Sequence, residues 1–250
     1  MKAAPMTLRR RIVPAAAATV AVAALAGTAW YAFDAISSQP IARVSFAGDL
    51  HRIAPSDLEA FAQAVQGVGA NAAALDAIRE AARKIPWVRA AMVRRRFPDA
   101  VEVTLETHEP LARWNDAALA STRGEIFTAP YDAPLPRFHG RDDSAPRMAT
   151  EYPAIVRAVA PLSSTVTDVS LSPRGAWQVV LDSGLTLDLG RDDIEARLAR
   201  FAAAWPQLAA RGVASKHADL RYAKGFALQR VAETKPPQPT ARTGKSKTQR

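Results

Sequence analysis

Residues 87–106 read Trp87-Val88-Arg89-Ala90-Ala91-Met92-Val93-Arg94-Arg95-Arg96-Phe97-Pro98-Asp99-Ala100-Val101-Glu102-Val103-Thr104-Leu105-Glu106. In the second half Val101, Val103 and Leu105 alternate with Glu102, Thr104 and Glu106. That period of two is the signature of a strand with one dry face. Trp87 to Arg95 reads as a partner strand, and Phe97-Pro98-Asp99-Ala100 as the turn between them. Upstream, Pro55-Ser56-Asp57-Leu58-Glu59 marks a helix start, with Ser56 as cap and Glu59 reaching back as a capping box. Leu58, Phe61 and Val65 then share one helical face, and Gly67 and Gly69 end the helix. Asn71 is placed to cap a second helix, with Leu75, Ile78, Ala82 and Ile85 on one face and Pro86 as its stop. Val44-Ser45-Phe46 alternates as a short first strand. The order β-α-α-β-β puts two helices on one face of a small three-stranded sheet, over residues 41–108.

Beyond residue 109 the texture changes to short strands separated by turn residues. Strands are expected at Leu111–Trp114, Ala118–Thr122 and Glu125–Thr128, and a loop over Asp132–Pro146, which is rich in Pro, Asp and Gly. A helix is expected over residues 148–160. Trp177–Leu181 and Leu185–Leu189 form a hairpin around Asp182-Ser183-Gly184. Ile194, Leu198, Phe201, Trp205 and Leu208 define the strongest helix, with Asp192 and Glu195 as its capping pair. A single last strand is expected from Ala218 to Val231, with Leu220, Tyr222, Phe226 and Leu228 on one face. This second region spans residues 109–231. Residues 232–250 hold Pro, Thr, Lys and Arg without an apolar face and read as a disordered basic tail.

At the other end, the 22 residues from Ile12 to Phe33 carry no charge. At ~1.5 Å per residue they suffice to cross a hydrocarbon layer ~30 Å thick. Arg9, Arg10 and Arg11 precede them and Asp34 follows, which sets residues 1–11 as a cytoplasmic tail and the bulk of the chain in the periplasm. Trp30 and Tyr31 sit where amphipathic rings favour the interface. A cleaved signal peptide competes with this reading, because Ala24-Leu25-Ala26 is a small-x-small site. Either way the folded part is exported. The net charge of +9 and pI of about 10.3 therefore point to a membrane surface and not to nucleic acid.

The chain has no cysteine, which excludes disulfides, thiolate metal sites and cysteine nucleophiles. His51, His108, His139 and His217 are far apart in sequence and none has the spacing of a metal helix. There is no Gly-x-Ser-x-Gly elbow or phosphate-binding Gly-Lys loop. The adjacent acids Asp142-Asp143 and Asp192-Asp193 are explained by a loop and a helix start. No enzyme, metal, cofactor or small-molecule substrate is expected. A wall hydrolase with a carboxylate dyad assembled from distant positions stays open as the enzymatic alternative. Trp87 and Trp114 read as core, and Arg94–Arg96 as a solvated strand end with partner or lipid contact as the alternative.

The 87–99 segment resembles the end of the POTRA domain in the FtsQ/DivIB family of bacterial cell division proteins. Glu109-Pro110-Leu111-Ala112-Arg113-Trp114, Gly124-Glu125-Ile126-Phe127, Leu135-Pro136 and Asp219-Leu220-Arg221-Tyr222-Ala223-Lys224-Gly225-Phe226-Ala227 continue the likeness in order. His139-Gly140-Arg141 departs from it, where the family shows Gly-Pro. The resemblance implies an α+β protein with a single N-terminal transmembrane helix at 12–33, a POTRA domain and a C-terminal, mostly antiparallel β domain with helices. It implies a non-enzymatic divisome scaffold of the inner membrane that links early and late division proteins. FtsB and FtsL would be held by the β domain, with FtsK and other divisome proteins at the POTRA and transmembrane regions. Carried over by position, the partner-binding residues are Arg221, Tyr222, Lys224 and Gly225, with Phe226 on the flanking strand. A signal-cleaved periplasmic binding module with a POTRA-like domain is the alternative.

Overall fold

Strand β1 (Arg43–Gly48) runs parallel to β3 (Ala100–Thr107), and β3 pairs antiparallel with β2 (Val88–Arg96). The computed structural model describes residues 18–31 and 39–230. The chain divides into two units, Met1–Glu109 and Pro110–Arg250. In the first, Val93 lies opposite Val103 and Arg94 opposite Glu102, so the alternation of β3 sorts apolar residues to one face of the sheet. Val101, Val103 and Leu105 are buried, joined by Val88, Ala91 and Val93 from β2. Helix α1 is the helical stretch 18–31. Helices α2 (Pro55–Val65) and α3 (Ala72–Ala82) add Phe61, Val65, Ile78 and Ala82 to the same core. Each large side chain so buried contributes ~1.5–3 kcal/mol. Trp87 is buried as expected, with the Arg52 guanidinium 5.3 Å from its ring centre.

The two helix starts divide. Asn71 caps α3, its side-chain oxygen accepting from the Ala74 amide at 2.8 Å. Ser56 does not cap α2. The helix begins at Pro55, with Ala54 as the cap residue and no side-chain cap bond. Proline at the first helical position lacks the amide that would need a partner and has its φ preset, so the cap moves from Ser56 back to Ala54 and leaves Ser56 inside the first turn.

Gly48 closes β1 at φ +94°, and a Cβ there would run into the carbonyl oxygen of Leu105 on β3. Gly48→Ala should therefore destabilise the first unit by ~1–3 kcal/mol, from left-handed backbone strain plus the clash. Thermal unfolding of the full chain checks this, and an unchanged midpoint would show that the end of β1 yields freely.

In helix α1 Val20, Val22, Leu25, Trp30 and Tyr31 are all exposed. Among the described residues no helix is long and apolar enough to cross a membrane. The remainder of the expected span, the 1–11 tail and the 232–250 tail lie outside the described residues.

The second unit is built on one nine-stranded sheet, ordered β12-β11-β10-β9-β8-β7-β4-β5-β6. Its strands are β4 (Pro110–Trp114), β5 (Ala118–Ser121), β6 (Ile126–Phe127), β7 (Arg137–His139) and β8 (Val166–Leu171), then β9 (Trp177–Leu181), β10 (Thr186–Gly190), β11 (Ser215–Asp219) and β12 (Ala227–Arg230). The β9–β10 hairpin turns as expected, with Gly184 at φ +79°. Antiparallel pairs predominate, with parallel pairs at β4–β7, β7–β8 and β10–β11. Helices α4 (Ala145–Val159) and α5 (Ile194–Ala210) supply Met148, Ile155, Val159, Leu198 and Phe201 to the core. These side chains share one cluster with Trp114, Phe138, Val169, Trp177, Val179, Leu187, Leu189, Ala218 and Leu220.

The second unit departs from the sequence pattern in four places. The 132–146 loop contains β7, an interior strand, and the first residues of α4. Strand β8 was not expected at all. Asp192 and Glu195 form no cap: Asp193 is the cap residue, left-handed at φ 54°, without a side-chain cap bond. The single strand over 218–231 is two strands, β11 and β12, joined by a turn.

Candidate partner-binding surface

The turn between β11 and β12 decides the geometry of the site. Strand β11 lies parallel to β10, with Ala218 opposite Leu187 and Asp219 opposite Asp188. The Leu220 amide still donates to the Asp188 carbonyl at 2.8 Å, and Leu220 is buried in the core. The chain then leaves the sheet at Arg221 and returns as β12, antiparallel to β11, with Ala227 opposite Asp219 and Leu228 opposite Ala218. Arg221, Tyr222, Lys224, Gly225 and Phe226 therefore stand on the connection between two strands and not along one strand.

Three contacts hold this connection. The Arg221 guanidinium grips the Asp219 carboxylate with a fork, Nε to Oδ1 at 2.8 Å and Nη2 to Oδ2 at 2.7 Å, and the Arg221 amide donates to the same Oδ1. Arg200 of α5 donates from Nη1 to the Ala223 carbonyl at 2.6 Å. The Phe226 ring meets Phe201 edge-on, with centroids 5.1 Å apart at 81°. Phe226 is thus half-buried and anchors the return to the core, as Leu220 anchors the exit. Tyr222, between the anchors, is 55% exposed, and Lys224 is exposed. A Cβ built on Gly225 meets nothing within 4 Å, so the space beside it is open to another chain.

Strand β12 ends the sheet order, so its outer edge has no strand beside it among the described residues. Such an edge carries backbone donors and acceptors ready for an added strand. The sheet face near Arg221 is polar and internally paired. His217 Nε2 lies 2.9 Å from Asp188 Oδ2, and Gln178 donates to Asp188 Oδ1 at 2.8 Å. A pocket of about 460 Å³ opens there, lined in part by His139, Gln178, Asp188 and Arg221. Among the described residues no cluster of three or more His, Asp or Glu could hold a metal ion. The Arg200 clamp and the Asp188 pairs had no local signal, because they join side chains from separate elements.

Hydrogen bonding from Arg221 holds the Asp219 carboxyl below the usual carboxylate range, and the same pair raises Arg221. A depressed carboxylate contributes its stabilisation above its unfolded pKa of ~3.9 and loses it as pH falls through the lower folded value. The fork should stay closed across the neutral range and open only in acid, below the usual carboxylate range. Amide exchange at residues 221–226, taken relative to its intrinsic rate at each pH, should therefore be flat across the neutral range. Asp219→Asn should raise it at neutral pH, and no change on that substitution would show that the fork does not hold the turn.

Residues 39–108 match the family model described as POTRA domain, FtsQ-type. Residues 112–221 match that of cell division protein FtsQ/DivIB, C-terminal. A POTRA unit followed by a β unit defines a two-unit chain whose recognisable parts both come from one class of cell division protein. The cell division protein FtsQ of Burkholderia pseudomallei is 43% identical over 163 residues, covering 62% of this chain and 65% of that protein. FtsQ of Nitrosospira multiformis is 41% identical over 156 residues, covering 62% and 66%. FtsQ of Xanthomonas campestris pv. campestris is 34% identical over 197 residues, covering 78% and 71%. The chain belongs to the FtsQ/DivIB family of cell division proteins. The matched part spans about two thirds of the length of these relatives. The C-terminal match ends at Arg221, so Tyr222, Lys224, Gly225 and Phe226 lie just past it.

Proposed function

We propose that the chain is a non-enzymatic divisome scaffold, anchored in the inner membrane by residues 12–33 with both folded units in the periplasm. In this reading it links early and late division proteins and holds the FtsB–FtsL pair through the C-terminal β unit. The contact residues are Arg221, Tyr222, Lys224, Gly225 and Phe226. FtsK and other division proteins meet the POTRA unit and the membrane segment.

One observation carries the reading. An exposed tyrosine stands on a clamped turn that leads directly into an edge strand. Tyrosine and arginine are the residue types that dominate interface energetics, and a rigid turn avoids part of the ordering cost of binding. A partner strand added along β12 would supply main-chain hydrogen bonds, with Tyr222 and Arg221 at its end as side-chain anchors. The Arg221 side of the turn borders the polar pocket, which suits a partner with polar groups there.

The test is capture of an FtsB-like periplasmic segment by the full chain in detergent, wild type against Tyr222→Ala. Capture by the wild type and its loss in the variant support the reading. Equal capture by both keeps a partner but removes it from this turn. No capture by either sinks the FtsB assignment.

A further inference from the structure

The first unit carries a second surface, at the tip of the β2–β3 hairpin. Phe97 is 66% exposed there, and Val68 on the loop between α2 and α3 is 36% exposed. The two belong to one end of the unit. Val68 accepts from the Ile41 amide at 2.9 Å, Asp99 accepts from the Ala42 amide at 2.8 Å, and Arg95 donates to the Ala70 carbonyl at 3.3 Å. At this end Arg43 pairs with Asp99 and Arg96 with Glu102, and Arg94 lies opposite Glu102 in the β2–β3 register. The Arg95 guanidinium lies 4.5 Å from the Phe97 ring centre. The Arg43 and Arg96 side chains stay 71% and 63% exposed against half-buried Asp99 and Glu102, and pairs at the surface are worth little, so these arginines can exchange one anion for another.

This end is also where the chain enters. Strand β1 starts at Arg43, beside Ala100 at the hairpin turn, and runs away from it. Only twelve positions separate Tyr31 from Arg43. Even fully extended, at most ~3.6 Å per residue, that tether keeps the start of β1 within ~45 Å of Tyr31.

We propose that the hairpin tip, Phe97 and Val68 framed by Arg43, Arg94, Arg95 and Arg96, docks on an anionic lipid surface. The inference rests on the membrane anchor proposed above. Its chemistry is that of an interfacial contact: an apolar side chain enters the headgroup boundary while guanidinium groups meet lipid phosphates. The hairpin turn offers an exposed aromatic beside a guanidinium group, a pairing that suits the headgroup boundary of a bilayer. The tip orients the first unit, with the far ends of β1 and α3 directed away from the bilayer.

The cysteine-free chain allows a direct test. Single cysteines are placed at Gln66 and Ser56, exposed positions just beyond the C-terminus and near the N-terminus of α2. Eleven helical residues separate the two ends by ~16 Å. The full chain is labelled with a fluorophore and reconstituted in nanodiscs of phosphatidylcholine with or without phosphatidylglycerol, carrying a headgroup-depth quencher.

The expected result is quenching at least about threefold stronger at 66 than at 56, since interfacial insertion reaches only ~5–10 Å. Salt should weaken it, and so should Arg94→Glu or Phe97→Ser. Equal quenching at both positions overturns the proposal, as does quenching at 66 that ignores both substitutions. Absence of quenching at 66 in a chain that resists carbonate extraction overturns the lipid contact and leaves the anchor standing, with a protein partner as the occupant of the tip. A chain extracted by carbonate overturns the anchor and the contact with it.

Discussion

Tyr222→Ala should weaken binding of an FtsB-like periplasmic segment about 30- to 1000-fold, which is ~2–4 kcal/mol, and leave the melting curve of the chain in place. The two parts of the expectation have one cause. The side chain is more than half exposed, so removing it takes almost nothing from the core. What it leaves behind stays in position, because Leu220 and Phe226 remain packed and the Asp219–Arg221 fork and the Arg200 bond to Ala223 remain closed. The anchor disappears while its mount survives. Phe226→Ala should behave differently, lowering both the melting temperature and the affinity, because that ring lies on Phe201. Lys224→Ala should change mainly the association rate and its salt dependence, as expected of an exposed rim charge. A Tyr222→Ala chain that melts early would place the tyrosine in the fold. One that melts normally and binds normally would remove it from the interface.

The first unit was legible because its signals are local and agree. Val101, Val103 and Leu105 alternate without interruption, and Asn71 stands alone before an apolar stripe, so strand and cap could be read from neighbours. Ser56 misled because Pro55 offered a competing start, and the preset φ of proline prevailed. In the second unit the errors share a different cause. Strand β7 has three residues, too few to show a period, and it is held inside the sheet by parallel pairing with β4 and β8, partners that local pattern does not reveal. The 218–231 segment misled because Leu220, Tyr222, Phe226 and Leu228 keep even spacing. Leu220, Phe226 and Leu228 do pack on the core, but a turn intervenes and throws Tyr222 outward. Family likeness therefore named the candidate residues, and the turn on which the structure places them had no signal in the sequence. Its clamp depends on Arg200, whose acceptor is 23 positions away.

Phe201→Ala should be among the most damaging single substitutions in the second unit, costing ~3–5 kcal/mol. Phe201 is fully buried on α5, with Trp205 at 5.2 Å and Phe226 at 5.1 Å between ring centres. Its loss opens a cavity where helix, sheet and the return into β12 meet, and the edge-on pair forfeits ~0.5–1.5 kcal/mol beyond buried area. Against a typical total of ~5–15 kcal/mol, the melting midpoint of this unit should fall by roughly 10 °C, and Phe201→Leu should restore most of it. The damage should also be directional. With its partner ring gone, Phe226 no longer ties the 221–226 turn to α5. Amide exchange there should rise well below the melting temperature, and capture of the FtsB-like segment should weaken although none of the proposed contact residues has changed. Restoring affinity by a second route, such as a disulfide across β11 and β12, would show that Phe201 acts on binding only by holding the turn. A midpoint shift under about 2 °C would mean that α5 collapses onto the sheet without it, and the aromatic stack would then lose its standing as the mount of the site.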